Sequence, residues 1–328
     1  MDYYGTLGPS CNDENILSKM IDEGMTGIRL NLSHGDLEDN KEYIEKLRKA
    51  ENITGKKMKL LIDLKGPELR TGTLKAPINI SEGEKIIIGE GGIIDVPSII
   101  FGSINNNQQI LIDDGKILIQ VESFDEKSAL CVVLRGGTLK SSKSMAFPEA
   151  NINPPTLTDS DRLNISKALE YGITGVMLPF VRNKQDLICL RDELLKSNCE
   201  NIEILAKIEN KSGIEKLDEL MDFADSFVIA RGDLGNSMDL WELPKAQKVI
   251  AEKCKKYNKP FMIVTQMLDS MHTKKVPTRA EVLDIFNAVV DGASSIMLTG
   301  ETAAGNYPVE SMRYLVKTGE EALKYINK

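Results

Sequence analysis

Two stretches, Ile202-Glu-Ile-Leu-Ala-Lys-Ile-Glu-Asn210 and Ser226-Phe-Val-Ile-Ala-Arg-Gly-Asp-Leu-Gly235, share one design: a short apolar run that stops at charged residues. An apolar run of that length, bounded by polar residues, reads as a fully buried strand. Working outward, similar runs recur at Gly27–Leu32, Lys59–Asp63, Gly175–Leu178, Pro260–Thr265 and Ser294–Leu298, with a weaker eighth at Tyr3–Leu7. Between them lie stretches with helical periodicity, such as Ile16–Ile21, Ile44–Ala50, Leu163–Tyr171 and Ala246–Tyr257. Thr278-Arg-Ala-Glu281 has the form of a capping box, and Pro308 stands where a first-turn proline belongs. Eight strands, mostly followed by helices, predict an α/β fold, the (β/α)8 barrel.

One region breaks the alternation. From Thr71 to about Asn153 the hydrophobic period switches to 2, with turns in place of helices. Gly89-Glu-Gly-Gly92 reads as a loop, and Asp114-Gly115 between Ile110–Ile112 and Ile117–Val121 is a hairpin signal. The expectation is an all-β lid domain over 71–153, inserted after the third strand. Residues 1–70 and 154–328 then form the barrel, about the 250 residues such a fold typically uses.

The 328 residues carry 41 basic and 49 acidic side chains, a net charge of −8. That balance argues against a dedicated nucleic-acid binder. No apolar run reaches the 18 or so residues of a membrane span, and the first residues lack the pattern of a signal peptide. Five scattered cysteines without a C-x-x-C pair read as reduced thiols, so a cytoplasmic location is expected. With two histidines, neither near a cysteine pair, a zinc site has no support.

In such barrels the chemistry lies at the C-terminal ends of the strands. Those ends read Arg29-Leu-Asn-Leu-Ser-His34, Asp63-Leu-Lys-Gly-Pro-Glu-Leu-Arg70, Lys207-Ile-Glu-Asn210, Arg231-Gly-Asp-Leu-Gly235, Thr265-Gln-Met267 and Thr299-Gly-Glu-Thr302. Three carboxylates (Asp63, Glu209, Asp233) and four cations (Arg29, Lys65, Lys207, Arg231) are expected to converge on one mouth. Carboxylate oxygens without Cys or His partners select Mg2+ or Mn2+, and cations beside such an ion suit a phosphoryl or carboxylate substrate. Neither a P-loop nor a dinucleotide-binding glycine motif occurs.

The chain resembles the pyruvate kinase family from Thr6-Leu-Gly-Pro-Ser10 to Gly305-Asn-Tyr-Pro308. The resemblance runs through Arg29–Gly35, Leu64–Gly72, Ala206-Lys-Ile-Glu-Asn210, Ala230–Gly235, Thr265–Met271 and Pro277-Thr-Arg-Ala-Glu281, in the family's order and spacing. It implies glycolytic phosphoryl transfer from phosphoenolpyruvate to ADP, giving pyruvate and ATP. On this resemblance Lys207 stabilises the transferring phosphoryl group, Arg29 contacts it, and Glu209 with Asp233 binds Mg2+ or Mn2+. Backbone N–H groups near Gly232 and Asp233, with Thr265, hold the substrate carboxylate, and Thr265 is linked to protonating the enolate through water. A K+ site maps onto Asn31, Ser33, Asp63 and the carbonyl of Leu64, and Glu68 matches potassium-dependent members. Asn31, His34, Arg70 and Lys143 match positions on the nucleotide side.

Plainer readings stand beside these: a rim hydrogen bond for His34, a solvated lysine for Lys143, a turn cap for Glu68. His272 and the thirteen methionines read as structural, and the single Trp241 as a packing residue on a helix flank. The chain stops at Lys328, where most members continue into a C-terminal regulatory domain. The expectation is no effector control through that domain, and assembly at most as a homodimer through the barrel face. Pro179, Asn236-Ser-Met-Asp239, Phe286 and Ser144-Met-Ala-Phe-Pro148 depart from the family pattern. Three readings follow: a minimal pyruvate kinase, a paralogue acting on another enol-phosphate, 2-oxo acid or nucleotide, and a non-catalytic protein that keeps the fold.

Overall fold

The computed structural model describes every residue except Pro67, Asp114, Glu149, Asn151, Asn153 and Lys328. The chain divides into two compact units, Met1–Gly66 with Thr156–Lys328, and Pro67–Pro155. In chain order the strands are β1 (Asp2–Thr6), β2 (Gly27–Asn31), β3 (Lys59–Asp63), β4 (Ile78–Ile80) and β5 (Lys85–Gly89). Then come β6 (Gln109–Ile112), β7 (Ile117–Phe124), β8 (Ser128–Arg135), β9 (Gly137–Leu139) and β10 (Met145–Ala146). The last five are β11 (Gly175–Leu178), β12 (Glu203–Ile208), β13 (Ser226–Ala230), β14 (Phe261–Val264) and β15 (Ser295–Met297).

In the first unit, β1, β2, β3, β11, β12, β13, β14 and β15 pair in parallel in that order, and β15 returns to β1 to close the barrel. These are the eight strands expected from the apolar runs, the weak first one included. Side chains of period 2 split them between two cores. Inside the barrel lie Tyr4, Leu61, Met177, Leu205, Val228, Met262, Val264 and Met297. The alternate residues, such as Ile62, Val176, Ile204, Phe227, Ile229 and Ile263, pack outward with the helices. The barrel is therefore a filled core and not a pore, with its apolar inward residues in the middle and polar ones towards the strand ends.

The helices begin where the caps predict. Thr278 and Glu281 form a reciprocal capping box on helix Arg279–Val290, and Pro308 opens helix Pro308–Ile326. The helix expected over Leu163–Tyr171 instead runs Asp159–Ser166. Thr158 and Asp161 make a second capping box that sets its start, and Gly172, at φ +66, ends the turns that follow. Trp241 does not pack: it is 79 % exposed, beside an equally open Leu240, in the segment between helices Arg231–Asn236 and Leu243–Lys256. The expected helix flank is absent there, because the preceding helix ends at Asn236 and the next begins at Leu243. No helix among the described residues is long and apolar enough to cross a membrane.

The second unit is built of antiparallel strands, in the order β10-β6-β7-β8-β5, with a separate β4–β9 pair. Its own core contains Ile86, Ile88, Ile110, Ile119, Val121, Cys131 and Val133, one face of the alternating strands. At the expected hairpin, Ile112 pairs with Ile117 and Gly115 takes φ +79, while Asp114 lies outside the described residues.

Candidate active site

The inward columns explain which charged residues meet. In β12 the sequence steps from Leu205, inside the barrel core, to Lys207 and then to Glu209 just past the strand. In β3 the step is from Leu61 to Asp63, and register pairs Arg29 with Leu61 and Asn31 with Asp63. Period 2 thus carries Arg29, Asp63, Lys207 and Glu209 to one end of the barrel interior.

There they form a compact charge cluster. Arg29 donates from Nε (2.9 Å) and from a terminal nitrogen (2.6 Å) to Asp63 Oδ2. Lys207 Nζ lies 3.1 Å from both oxygens of Asp63 and 2.9 Å from Glu209 Oε1. Burial works against ionisation of Asp63, but Lys207 and Arg29 outweigh it and hold the carboxyl below the usual range. Burial also opposes the Lys207 charge, yet Asp63 and Glu209 overcome it and raise the pKa above that of an ordinary lysine. Glu209 behaves otherwise. Burial pushes it up to about 7, Lys207 opposes the shift, and the charges of Asp233 and Asp63 reinforce it.

The two oxygens of Glu209 have different roles. Oε2 accepts the N–H of Phe180 at 2.7 Å, from a residue at φ +53. Oε1 is buried and completes no hydrogen bond, because Lys207 approaches at ion-pair distance but out of line. A buried carboxylate oxygen without a donor is costly unless it serves a further partner. Among the described residues no group of three or more His, Cys, Asp and Glu side chains is arranged to hold a metal. One or two carboxylates, with the remaining positions left to water and substrate, are the usual protein share of a Mg2+ shell. Glu209, with Asp233 in the first turn of helix Arg231–Asn236, fits that donor set.

Just past β13, the neighbour of β12, Arg231 makes its bonds elsewhere and does not join the cluster. It donates two hydrogen bonds to the carbonyl of Thr265 (3.2 and 2.7 Å), contacts Met267 Sδ at 3.0 Å, and pairs with Asp284 at 2.8 Å. Thr265 has φ +79 and Gln266 φ +53. For a β-branched residue this backbone is a true outlier and costs about 1–3 kcal/mol, so surrounding contacts must hold it. The Thr265 side chain lies over Gly232, where a Cβ would stand 3.1 Å from its Cγ2.

A model of the pyruvate kinase barrel domain matches residues 2–312. The chain belongs to the pyruvate kinase family. It is 38 % identical to a pyruvate kinase of Geobacillus stearothermophilus and 36 % identical to one of Bacillus licheniformis, each over 98 % of this chain. A pyruvate kinase of Staphylococcus saprophyticus is 37 % identical over the same share. The chain spans 57 % of the length of these relatives.

Of the four cations expected at the pyruvate kinase-like mouth, Arg29 and Lys207 converge on Asp63. Arg231 does not join them, because the Thr265 carbonyl and Asp284 claim its guanidinium. Lys65 is exposed, and its charge acts on Asp36. Asn31 Oδ1 accepts the N–H of Ser33 at 3.2 Å, which shapes the short turn Leu32–His34, and His34 is exposed at its end. Leu64 is buried, and its N–H donates to the Met177 carbonyl. Glu68, Arg70 and Lys143 belong to the second unit. There Arg70 pairs with Glu68 at 2.7 Å and bridges to Ser144, while Lys143 pairs with Asp113 at 2.8 Å. His272 packs its ring against Gly300.

Several supporting residues escaped the sequence reading. Asp161 accepts the N–H groups of Lys65 and Gly66 as well as capping its own helix, so it fixes the loop after β3. Glu301, 1 % exposed, accepts from the N–H of Leu268 (3.0 Å) and of Thr299 (2.8 Å), tying together the loops after β14 and β15. Its presence in the Thr299-Gly-Glu-Thr302 strand end was the one available signal. Asp284 lies mid-helix and carries none.

Proposed function

We propose that this protein transfers a phosphoryl group from phosphoenolpyruvate to ADP, giving pyruvate and ATP, with Mg2+ and K+. The observation that carries the reading is the buried Glu209 carboxylate, whose Oε1 pairs with Lys207 Nζ at 2.9 Å and makes no well-aligned hydrogen bond. It is a hard-oxygen ligand beside a preorganised cation, which is what phosphoryl transfer asks of a protein. The membership of the pyruvate kinase family selects phosphoenolpyruvate and ADP among the substrates such a site would accept.

In this reading Lys207 and Arg29 face the transferring phosphoryl group, and Asp63 keeps both in place and charged. Glu209 and Asp233 hold the divalent ion, which supplies charge neutralisation at the phosphoryl oxygens. The backbone N–H groups of Gly232 and Asp233 and the Thr265 hydroxyl take the substrate carboxylate, and Thr265 relays a proton to the enolate through water. Asn31, Ser33, Asp63 and the Leu64 carbonyl are oxygen donors from two paired strand ends, which suits K+. We assign the nucleotide phosphates to Asn31, His34, Arg70 and Lys143 on the resemblance. The five free cysteines suit a reducing, cytoplasmic compartment. A coupled assay of ATP and pyruvate formation with Mg2+, comparing K+ with Na+, tests the proposal, and no turnover at millimolar substrate rejects it.

A further inference from the structure

The clamp on Thr265 goes beyond the assignment of the site, though it rests on that assignment. Thr265 follows β14 directly and turns with two successive residues at positive φ, Thr265 itself and Gln266. An isolated threonine avoids this conformation because its Cβ crowds the backbone, so left alone it would relax. The guanidinium of Arg231, from the neighbouring strand end, is the group that prevents this. Its Nε–H and one terminal N–H close on the same carbonyl oxygen of Thr265, and the other terminal nitrogen is anchored on Asp284. Met267 Sδ takes a further contact. The Arg231 side chain is 13 % exposed, so little water competes for these bonds. Gly232 completes the arrangement, since a side chain there would push against Thr265 Cγ2.

We propose that Arg231, anchored on Asp284, is a positioning residue that locks the left-handed backbone of Thr265 and so holds its hydroxyl in register with the reacting enolate. The step it serves is carbon protonation. The enolate π pair forms a new C–H bond at C3, the oxygen lone pair reforms the ketone, and the proton comes from a solvent water hydrogen-bonded to Thr265. Phosphoryl transfer depends chiefly on Lys207, Arg29 and Glu209, and the clamp bears on it only through the hold of Thr265 on the substrate carboxylate. Arginine is required because a planar fork can reach the carbonyl and the carboxylate together, which a lysine ammonium cannot do.

The test follows proton exchange at the methyl group of pyruvate in deuterated water by NMR, with Mg2+, K+ and inorganic phosphate present. ATP formation is measured in parallel for wild type, Arg231→Met, Arg231→Lys and Asp284→Asn. Misplacing a catalytic group by about 1 Å costs ~100-fold, so Arg231→Met is expected to slow exchange by about that factor, and by far more than it slows ATP formation. Arg231→Lys should recover only part of the loss. Wild-type exchange in Arg231→Met, or a loss of exchange no larger than the loss of ATP formation, overturns the proposal. If Arg231→Met does not fold, Asp284→Asn decides, with slower exchange supporting the clamp and unchanged exchange refuting it. A wild-type protein inert in both assays overturns the proposed function instead. Crystal structures of the wild type and Arg231→Lys then judge the clamp alone: relaxation of Thr265 to negative φ in the variant supports it, and an unchanged backbone refutes it.

Discussion

Lys207 Nζ sits 3.1 Å from each oxygen of Asp63, although 144 residues separate them and β11 lies between their strands. They meet because both side chains project into the barrel interior, across it and not along its wall. The pair is what allows a lysine to stay charged while buried. It also makes Asp63 a structural member of any site that uses Lys207.

Asp63→Asn should therefore cost stability as well as activity. It leaves Arg29 and Lys207 buried side by side with only Glu209 to balance them, and breaking a buried pair costs about 3–5 kcal/mol. Urea unfolding measures it. A loss well below 1 kcal/mol would show that the two cations need no counter-charge from Asp63.

Lys207→Met is expected to reduce kcat by about 10²–10³ or more, the scale of one preorganised charge lost from a transition state. Circular dichroism should report a folded protein, since Arg29 continues to neutralise Asp63. Activity near that of the wild type would remove Lys207 from the mechanism.

Removal of divalent metal with EDTA should abolish ATP formation, and added Mg2+ should restore it. Glu209→Gln, which replaces an anionic ligand by a neutral amide, should raise the Mg2+ concentration needed for half-maximal rate by at least about tenfold. Titration with Mn2+, read by electron paramagnetic resonance, checks binding without turnover, and unchanged affinity would sink the ligand assignment.

Acid should weaken the barrel partly through Asp186. Burial works against ionisation of this carboxyl, but the hydrogen bonds from Arg182 and Thr156 outweigh it and hold its pKa below the usual aspartate value. Folding thus favours the ionised form. Its contribution is fully present above the unfolded value near 3.8 and fades as pH falls through the lower folded value. Asp186→Asn should lose stability at neutral pH and show a shallower decline below about pH 4. Unfolding midpoints measured from pH 7 to pH 2.5 distinguish this from a pH-independent loss.

Thr278→Ala removes the hydroxyl that caps helix Arg279–Val290 and bonds Glu281. A loss of about 1 kcal/mol is expected. Because that helix carries Asp284, the variant should also slow proton exchange at pyruvate slightly, and a larger kinetic than thermodynamic effect would point to the Arg231 anchor.

Most of the barrel was legible because its signals are local. Apolar runs of four to seven residues and the Thr278 and Pro308 helix starts depend on neighbours in the chain, and the eight strands fell where those signals lie. Trp241 failed for the opposite reason: packing of a residue on a helix flank depends on a surface remote in the chain, and Trp241 is exposed. Arg29 and Arg231 illustrate the same limit within the site. One lies within β2 and the other just past β13, and nothing in the flanking residues says that Arg29 turns to Asp63 and Arg231 to Thr265.

The sequence by itself determined the fold class, the family, and the column of charge at each strand end, since period 2 in a strand places Leu205, Lys207 and Glu209 on one face. Tertiary structure decided which of those charges meet. Closure of the barrel brings Asp63 to Lys207, sets Glu209 Oε1 against Lys207 without a well-aligned hydrogen bond, and turns Arg231 into a clamp on a left-handed Thr265. Those outcomes depend on distances between strands remote in the chain and on competition among several partners for each polar group, and no local pattern encodes either.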